Sequence, residues 1–383
     1  MKIPKVILVT NIISPYRIPL FNCINEVADF SFKVICLAET EENREWRILK
    51  NHINFDYQVL PGWHAFITKK EIPIHINRRV IKALRQHDPD MIVTSGYDSL
   101  AYWQAFLYCK FFKKKFILWN GTTLLSAGSI KGIRGLLKKI IIKRADRYIV
   151  YGTKGKEYLK HFGAKSKDIY ISTNMIDNDY FRDRVLQYRA NKNFSEERKK
   201  YPKILLLYVG QLVKRKGIEQ ILKALNILEN PEIGLMIVGS GSEEMNLKKF
   251  CKENKLENIF FKGFHQQEGL PKYYALSDIF IFPTFKEPWG LVINEALACG
   301  LYVLCSDRAG SAFDLIKKDW NGALFNPHNV ENLAMLIKQT KEQIEIIRVH
   351  HDGISEHFCH EFSIERSAKA FSNAVEAVIS NKA

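Results

Sequence analysis

No apolar run in the sequence approaches the ~18 residues that a membrane-spanning helix needs, so no part of the chain is expected to cross a bilayer. A secretory leader is not expected either. The N-terminus opens Lys2-Ile3-Pro4-Lys5, and its apolar run lasts only from Val6 to Val9 before Thr10 and Asn11. That falls short of the roughly 7–15 residues of a leader's core and reads instead as a first buried strand. Paired cysteines are missing as well. Cys23, Cys36, Cys109, Cys251, Cys299, Cys305 and Cys359 are odd in number and show no paired spacing. Five of them stand in mostly apolar surroundings, as reduced thiols do, and the expected location is the cytoplasm. Low-complexity segments and short solenoid repeats are absent too.

Acidic residues are scarce in one half only. The chain of 383 residues carries a net charge of +16. Residues 1–200 hold 36 Lys and Arg against 19 Asp and Glu, a surplus of 17, whereas residues 201–383 hold 21 against 22. Within the first half, residues 101–150 contain 11 cations and a single acid, Asp146. A basic half facing a neutral half points to an anionic partner for the basic half alone, unless the excess is a solvated surface.

What is present is an ordinary globular balance, 46% hydrophobic and 26% charged, in a chain long enough for two domains. Strand-length apolar runs alternate with amphipathic stretches. The runs are Val6–Val9, Phe32–Leu37, Met91–Thr94, Phe116–Trp119, Tyr148–Tyr151 and Ile169–Ser172, then Ile204–Val209, Leu235–Val238, Ile259–Lys262, Ile279–Phe282 and Tyr302–Cys305. Continuous rather than alternating hydrophobicity marks strands covered on both faces, as in parallel sheets flanked by helices. The expected fold class is α/β, with two doubly wound Rossmann-like domains facing a central cleft. The pattern fades over residues 179–202, which read as a linker between a first domain at 1–178 and a second at 203–360.

Glycines follow three successive strands of the second half: Gly210, then Gly239-Ser240-Gly241, then Gly263 before Phe264. Such turns let backbone amides approach a ligand closely, and three at corresponding strand ends suggest a nucleotide-like one. Lys214-Arg215-Lys216 precede a helix starting near Gly217, where cations oppose the helix dipole and an anion would relieve both. The strongest segment runs from Pro283 to Gly300. Glu287 falls in the loop after Ile279–Phe282, and Glu295 falls about a turn into the following helix. Between them lie the first-turn amides of Gly290, Leu291 and Val292. That layout suits a diphosphate on the amides and a sugar or ribose hydroxyl on each carboxylate, although a loop acid and a helix-surface acid would share the spacing.

The Glu-x7-Glu pattern in its Glu287-Pro288-Trp289-Gly290-Leu291-Val292 context closely resembles the retaining glycosyltransferases of family four, which have the GT-B fold. The resemblance extends to Gly210 with Lys216-Gly217, Val238-Gly239-Ser240-Gly241, Ser277-Asp278, Gly310 and Asn321-Gly322, across residues 203–340. In the first half it rests on Ser14-Pro15-Tyr16-Arg17, Tyr151-Gly152-Thr153, and Asn174 with Asp177. It implies that Glu295 accepts hydrogen bonds from a nucleotide ribose. It likewise places Glu287 beside the transferred sugar and Lys216 on the diphosphate, whose departing charge the transition state must stabilise. Gly210, Arg215, Gly239, Phe264, Gly290, Leu291 and Val292 complete the implied donor site. Many members carry an arginine directly after the first-strand glycine. Gln211 stands there, which leaves Arg215 as the candidate second cation.

On the acceptor side the family's glycine-rich loop is replaced by Asn11-Ile12-Ile13-Ser14-Pro15-Tyr16-Arg17. Its middle-strand histidine has no match in Leu118-Trp119-Asn120-Gly121-Thr122-Thr123. Arg17, Asn120 and Thr122 are acceptor candidates by position. The last helix, within 361–383, is expected to cross back to the first domain, as in the family.

No metal or other cofactor is expected. Asp88-Pro89-Asp90 has the form of a metal motif but sits at a turn. His350, His351, His357, Cys359 and His360 lack a second ordered ligand pair. Ile130–Arg147 reads as an amphipathic helix with Ile130, Ile133, Leu137, Ile140 and Ile141 on one face, packed on its own sheet or adding its basic side to an anionic membrane surface. With Lys110 and Lys113–Lys115 this makes residues 110–147 the candidate membrane contact.

The resulting expectation is a hexosyl- or N-acetylhexosaminyltransferase taking its sugar from a nucleotide-diphosphate donor. The acceptor would be a glycan or lipid-linked glycan, in surface polysaccharide or glycoconjugate synthesis, and the enzyme would work in the cytoplasm or at the inner face of the cell membrane. The rivals are a sugar-nucleotide epimerase of the same fold and a basic nucleic-acid-binding module. The latter is disfavoured because the aromatics fall in the apolar runs.

Overall fold

The computed structural model describes residues 3–41, 46–67, 72–128, 130 and 132–380. By its internal contacts the chain divides into Met1–Ile176 with Ile364–Ala383, and Asp177–Ser363.

In the first unit β1 (Lys5–Thr10) leads through α1 (Ile18–Val27) to β2 (Ser31–Cys36) and β3 (Asp56–Val59). A separate antiparallel hairpin follows, β4 (Trp63–Ile67) with β5 (Ile72–Ile76). Then come α2 (Val80–His87), β6 (Met91–Thr94), α3 (Leu100–Phe111) and β7 (Lys115–Asn120). The sheet closes with α4 (Gly132–Lys143), β8 (Arg147–Val150), α5 (Thr153–His161) and β9 (Ile169–Ile171). Seven parallel strands lie in the order β3-β2-β1-β6-β7-β8-β9.

Alternate residues of each strand feed two cores. Ile7 and Val9 pack with α2, α3, the last turn of α4, and α5, whereas Val6 and Leu8 pack with α1. The chain's final helix buries Ala368, Phe371, Ala374, Val375 and Val378 in that second core, beside α1. A sheet with helices on both faces leaves no strand face for water, which is why its strands read as unbroken apolar runs.

The second unit begins with α6 (Asn178–Arg189) and α7 (Phe194–Arg198). The stretch expected to be a linker is therefore mostly helical and belongs to this unit. Asp177 caps α6 by accepting from the Tyr180 amide at 3.0 Å, and Phe181 packs edge-on against Tyr274. Only Phe181 and Val185 supply α6 with buried apolar groups, too few to stand out among its charges. Next come β10 (Ile204–Val209), α8 (Ile218–Leu228), β11 (Ile233–Val238), α9 (Glu244–Glu253) and β12 (Ile259–Gly263). After them follow α10 (Pro271–Leu276), β13 (Ile279–Phe282), α11 (Leu291–Ala298), β14 (Tyr302–Ser306), α12 (Ala312–Leu315) and β15 (Gly322–Phe325). The helices α13 (Val330–Glu342) and α14 (Ile344–Glu361) end the unit, and α15 (Ile364–Ile379) is the final helix already placed in the first.

Six parallel strands stand in the order β12-β11-β10-β13-β14-β15. Every residue of β10, β11, β13 and β14 is buried. The strand order runs outward in both directions from β10 and β13. That reversal opens a crevice at their carboxyl ends, where ligands of doubly wound sheets sit.

All seven cysteines are free, and Cys36, Cys109, Cys251, Cys299 and Cys305 are buried. Burial pushes the Cys36 thiol up to about 12, so it does not ionise near neutrality. No helix among the described residues is long and apolar enough to cross a membrane.

Candidate donor site at the carboxyl edge of the second sheet

Three strand ends meet at this crevice. After β10, Gly210 and Gln211 lead into Lys214–Lys216, a single tight turn ahead of α8. After β11, Gly239 passes so close to the first loop that a Cβ on it would lie 1.9 Å from the Gly210 carbonyl oxygen. The two strand ends touch backbone to backbone, an approach that only glycine permits. After β13, the loop to α11 carries Glu287.

That third loop is tied down at several points. The Phe285 amide donates to the Arg215 carbonyl at 2.9 Å, which joins it to the basic turn. The Ser306 hydroxyl donates to the Thr284 carbonyl at 2.7 Å and the Gly310 amide to the Glu287 carbonyl at 3.0 Å. Trp289 is buried and donates its Nε1 to Asn294 Oδ1 at 3.0 Å, while its carbonyl accepts from the Ser311 hydroxyl at 2.7 Å. A loop held on both sides fixes its carboxylate in place without a ligand.

The tertiary structure joins the two parts that sequence reading singled out separately. Lys216 Nζ stands 2.6 Å from Glu287 Oε2, and Arg215 Nη1 stands 3.5 Å from the same oxygen. Lys216 also lies over the Phe282 ring, 4.9 Å from its centroid. Arg215 Nη2 is 3.5 Å from Gln211 Oε1, so the glutamine standing where the family often has arginine touches the cation expected to replace it. Two cations thus converge on one loop carboxylate at the sheet's carboxyl edge. Such a cluster can hold a diphosphate on its cations and sugar hydroxyls on its acid.

Gly290, at φ 97°, opens α11, and Leu291 and Val292 form its first turn. Phe264 follows β12 directly and is half-buried. Glu295 lies on α11 and is fully buried. Its Oε2 accepts from the Tyr274 hydroxyl of α10 at 2.7 Å, and Tyr274 is fully buried too. A ligand could reach this carboxylate only if the groups enclosing it moved. Tyr274 carried no signal in the sequence, because its role depends on α10 packing beside the strand that leads to α11.

In the first unit, Arg17 stands among aromatic rings at the carboxyl edge of the sheet. Its guanidinium carbon is 4.7 Å from the Trp119 ring centroid and 5.4 Å from that of Tyr151, and Nη2 donates to the Tyr151 hydroxyl. Arg17 Nη1, Trp119 Nε1 and Asn120 Oδ1 are buried without hydrogen-bond partners among the described residues. Asn120 Nδ2 donates to the Thr122 carbonyl at 2.8 Å, which folds the loop after β7 back on the strand end. Buried donors and acceptors left unsatisfied are costly unless a ligand or water completes them.

The discounted motifs are occupied by structure. Asp88 ends α2 at φ 44° and pairs with Lys114 at 2.7 Å, while Asp90 Oδ2 accepts from the Lys5 amide at 3.1 Å. His351 is buried, His357 Nε2 meets Lys317 Nζ at 2.6 Å, and His360 meets Glu361 at 3.2 Å. Among the described residues no group of three or more His, Cys, Asp or Glu could hold a metal ion.

Residues 190–345 match the family of glycosyl transferases group 1. The fold is the GT-B fold. HepE of Anabaena, solved in complex with UDP, superposes with a TM-score of 0.76 over 97% of this chain and 100% of its own, at 16% identity. An uncharacterized glycosyltransferase of Methanocaldococcus jannaschii is 34% identical over 132 residues, 34% of this chain and 34% of that protein. A sulfoquinovosyl transferase of Arabidopsis thaliana is 27% identical over 199 residues, 50% of this chain and 38% of that protein. The chain thus spans little more than a third of either curated relative.

Proposed function

We propose that this protein is a retaining glycosyltransferase. It moves a hexosyl or N-acetylhexosaminyl group from a nucleoside-diphosphate sugar to a glycan or lipid-linked glycan acceptor, working from the cytoplasmic side in surface polysaccharide or glycoconjugate synthesis. The observation that carries this reading is the convergence of Lys216 and Arg215 on Glu287 where the strand order of the second sheet reverses. The UDP bound in the structure of HepE supports a nucleotide donor.

In the transfer, the bond between the sugar's anomeric carbon and the diphosphate oxygen breaks, and the electron pair leaves with the nucleoside diphosphate. Lys216 and Arg215 neutralise that charge, which is largest at the transition state. The acceptor hydroxyl oxygen forms the new bond on the same face of the sugar, and its proton passes to the departing phosphate. Glu287 orients the sugar hydroxyls, and Glu295 takes the ribose hydroxyls once uncovered. No step requires a metal ion. Arg17, Asn120 and Thr122 hold the acceptor, a role supported by the unsatisfied Arg17 Nη1 and Asn120 Oδ1.

A thermal-shift screen against UDP-, GDP-, ADP- and dTDP-sugars identifies the donor, because a ligand that binds only the folded state raises its stability. NMR of the product formed with excess EDTA present then reads the anomeric configuration. An α-linked product from an α-linked donor fits the proposal; an inverted linkage, or loss of turnover restored by magnesium, refutes it. Isomerised donor without transfer would instead identify an epimerase.

A further inference from the structure

The amphipathic sequence of α4 suggests a helix that seats its apolar face on the sheet, but the fold does otherwise. Only Gly135, Ile141 and Ile142 are buried. Ile133, Leu136 and Leu137 remain 78%, 58% and 43% exposed. With Ile140 they fall within an arc of about 100° on the helix surface, apart from the core-facing side. Arg134 borders this stripe on one side, and Lys139 and Lys143 border it on the other. Lys131 lies outside the described residues.

Neighbouring α3 adds to the same surface. Lys110 Nζ donates to the Arg144 carbonyl at 2.6 Å, which sets the end of α3 beside the end of α4. Along α3, Leu107 and Phe111 are 59% and 79% exposed. No carboxylate occurs in the sequence between Asp98 and Asp146. Lys114, Lys115 and Arg147 are paired with Asp88, Asp146 and Asp168. Arg134, Lys139 and Lys143 have no carboxylate partner among the described residues, so the surface keeps its positive charge where the apolar groups stand out.

We propose that the α3–α4 surface of the first unit docks on an anionic lipid bilayer, with Ile133, Leu136 and Leu137 entering the headgroup layer and Arg134, Lys139 and Lys143 meeting lipid phosphates. Exposed apolar area and flanking cations are the two signals that stable peripheral binding combines. A soluble polyanion uses the cations but leaves the apolar stripe in water, so the stripe favours a bilayer. α4 follows the carboxyl end of β7, where Asn120 and Thr122 lie, so docking brings that loop to the lipid surface. On the sugar-transfer reading, this fits an acceptor carried by the same bilayer. The docking itself does not depend on that reading.

The test is co-sedimentation of the full chain with phosphatidylcholine vesicles with and without phosphatidylglycerol, in the absence of nucleotide. The wild type is expected to bind only the anionic vesicles, and a residue of binding should persist when salt is raised to about 1 M, where charge is screened over ~3 Å. Ile133→Gln with Leu137→Gln should lose that salt-resistant residue and weaken binding at least about tenfold, since each buried side chain contributes a factor of that order. Arg134→Gln with Lys139→Gln and Lys143→Gln should weaken it roughly 100-fold, about fivefold per cation. All five side chains reach solvent, and unchanged thermal unfolding checks that both variants fold. Absence of wild-type binding to anionic vesicles at low salt overturns the proposal. So does wild-type binding by the Ile133→Gln, Leu137→Gln variant, particularly if heparin displaces the vesicles completely. Because no sugar nucleotide is present, failure here leaves the donor reading untouched.

Discussion

In the structure Lys216 and Glu287 neutralise one another, so a diphosphate must compete with Glu287 for the lysine. Removing either member should therefore change nucleotide binding in opposite directions. At 2.6 Å and an effective dielectric of about 20, the attraction is about 6 kcal/mol before desolvation is deducted. Both side chains are mostly enclosed, 12% and 15% exposed, and loss of one partner from a fully buried pair costs ~3–5 kcal/mol. Lys216→Met leaves Glu287 with Arg215 at 3.5 Å, so a loss of about 1–2 kcal/mol is expected. Glu287→Gln removes the carboxylate that the two cations share and should cost about 2–4 kcal/mol. For a unit of this size each kcal/mol lowers the melting temperature by roughly 2–4 °C.

The bound state separates the variants further. Lys216→Met loses a charge-assisted contact of ~1.5–3 kcal/mol, and nucleoside-diphosphate affinity falls roughly ten- to hundredfold. Glu287→Gln removes the carboxylate that competes with the phosphates for Lys216 and Arg215, so the same nucleotide should stabilise this variant more than it stabilises the wild type. The assay is thermal unfolding with a titration of the nucleoside diphosphate that the donor screen selects. Using the diphosphate without its sugar removes any part Glu287 takes in binding the sugar. Equal loss of affinity in both variants would refute the competition, and unchanged affinity in both would remove the site from this crevice.

Tyr274→Phe removes the hydroxyl donated to the buried Glu295 carboxylate and should lower stability by about 1–3 kcal/mol in denaturant titrations; no loss would mean the carboxylate does not depend on that bond. Gly217 has φ 68°, and a Cβ there would lie 2.3 Å from the Pro283 carbonyl oxygen, so Gly217→Ala should cost about 2 kcal/mol or more and weaken nucleotide binding by displacing Lys216. Burial pushes His351 from 6.5 down to about 4, with the Arg189 charge acting in the same direction. The unfolded chain then binds a proton that the folded one refuses, so stability is full above pH 6.5 and falls as pH drops toward 4, by up to about 3 kcal/mol. His351→Gln should flatten that fall in urea titrations at pH 7 and pH 4.5; an unchanged pH slope would assign it to other groups.

The two sheets were legible in the sequence because a strand covered on both faces cannot hide its composition. Ile204–Val209 and Ile279–Phe282 appear as uninterrupted apolar runs, and the structure places strands at those residues. Four strands without that cover were missed, although the edge strands β9 and β12 were read as the runs Ile169–Ser172 and Ile259–Lys262. β3 and β15 are edge strands with exposed positions, and β4 with β5 form a hairpin outside both sheets. Local composition misled at 179–202, where a charged surface carries only two anchoring side chains.

Residue types and local spacing determined which chemistry the candidate site could hold: cations after one strand, a carboxylate after another, glycines where backbones approach. Their meeting did not follow from spacing. Lys216 and Glu287 are 71 positions apart, and only the adjacency of β10 and β13, set by the crossover order of the sheet, brings them to 2.6 Å. Tyr274 beside Glu295 depends likewise on helix packing. In α4 the apolar stripe is a property of the sequence, since side chains three and four apart share a face in any helix. Whether that stripe meets the sheet or water depends on how the helix is seated, and the core contact was taken by Ile141 and Ile142 on another side of it.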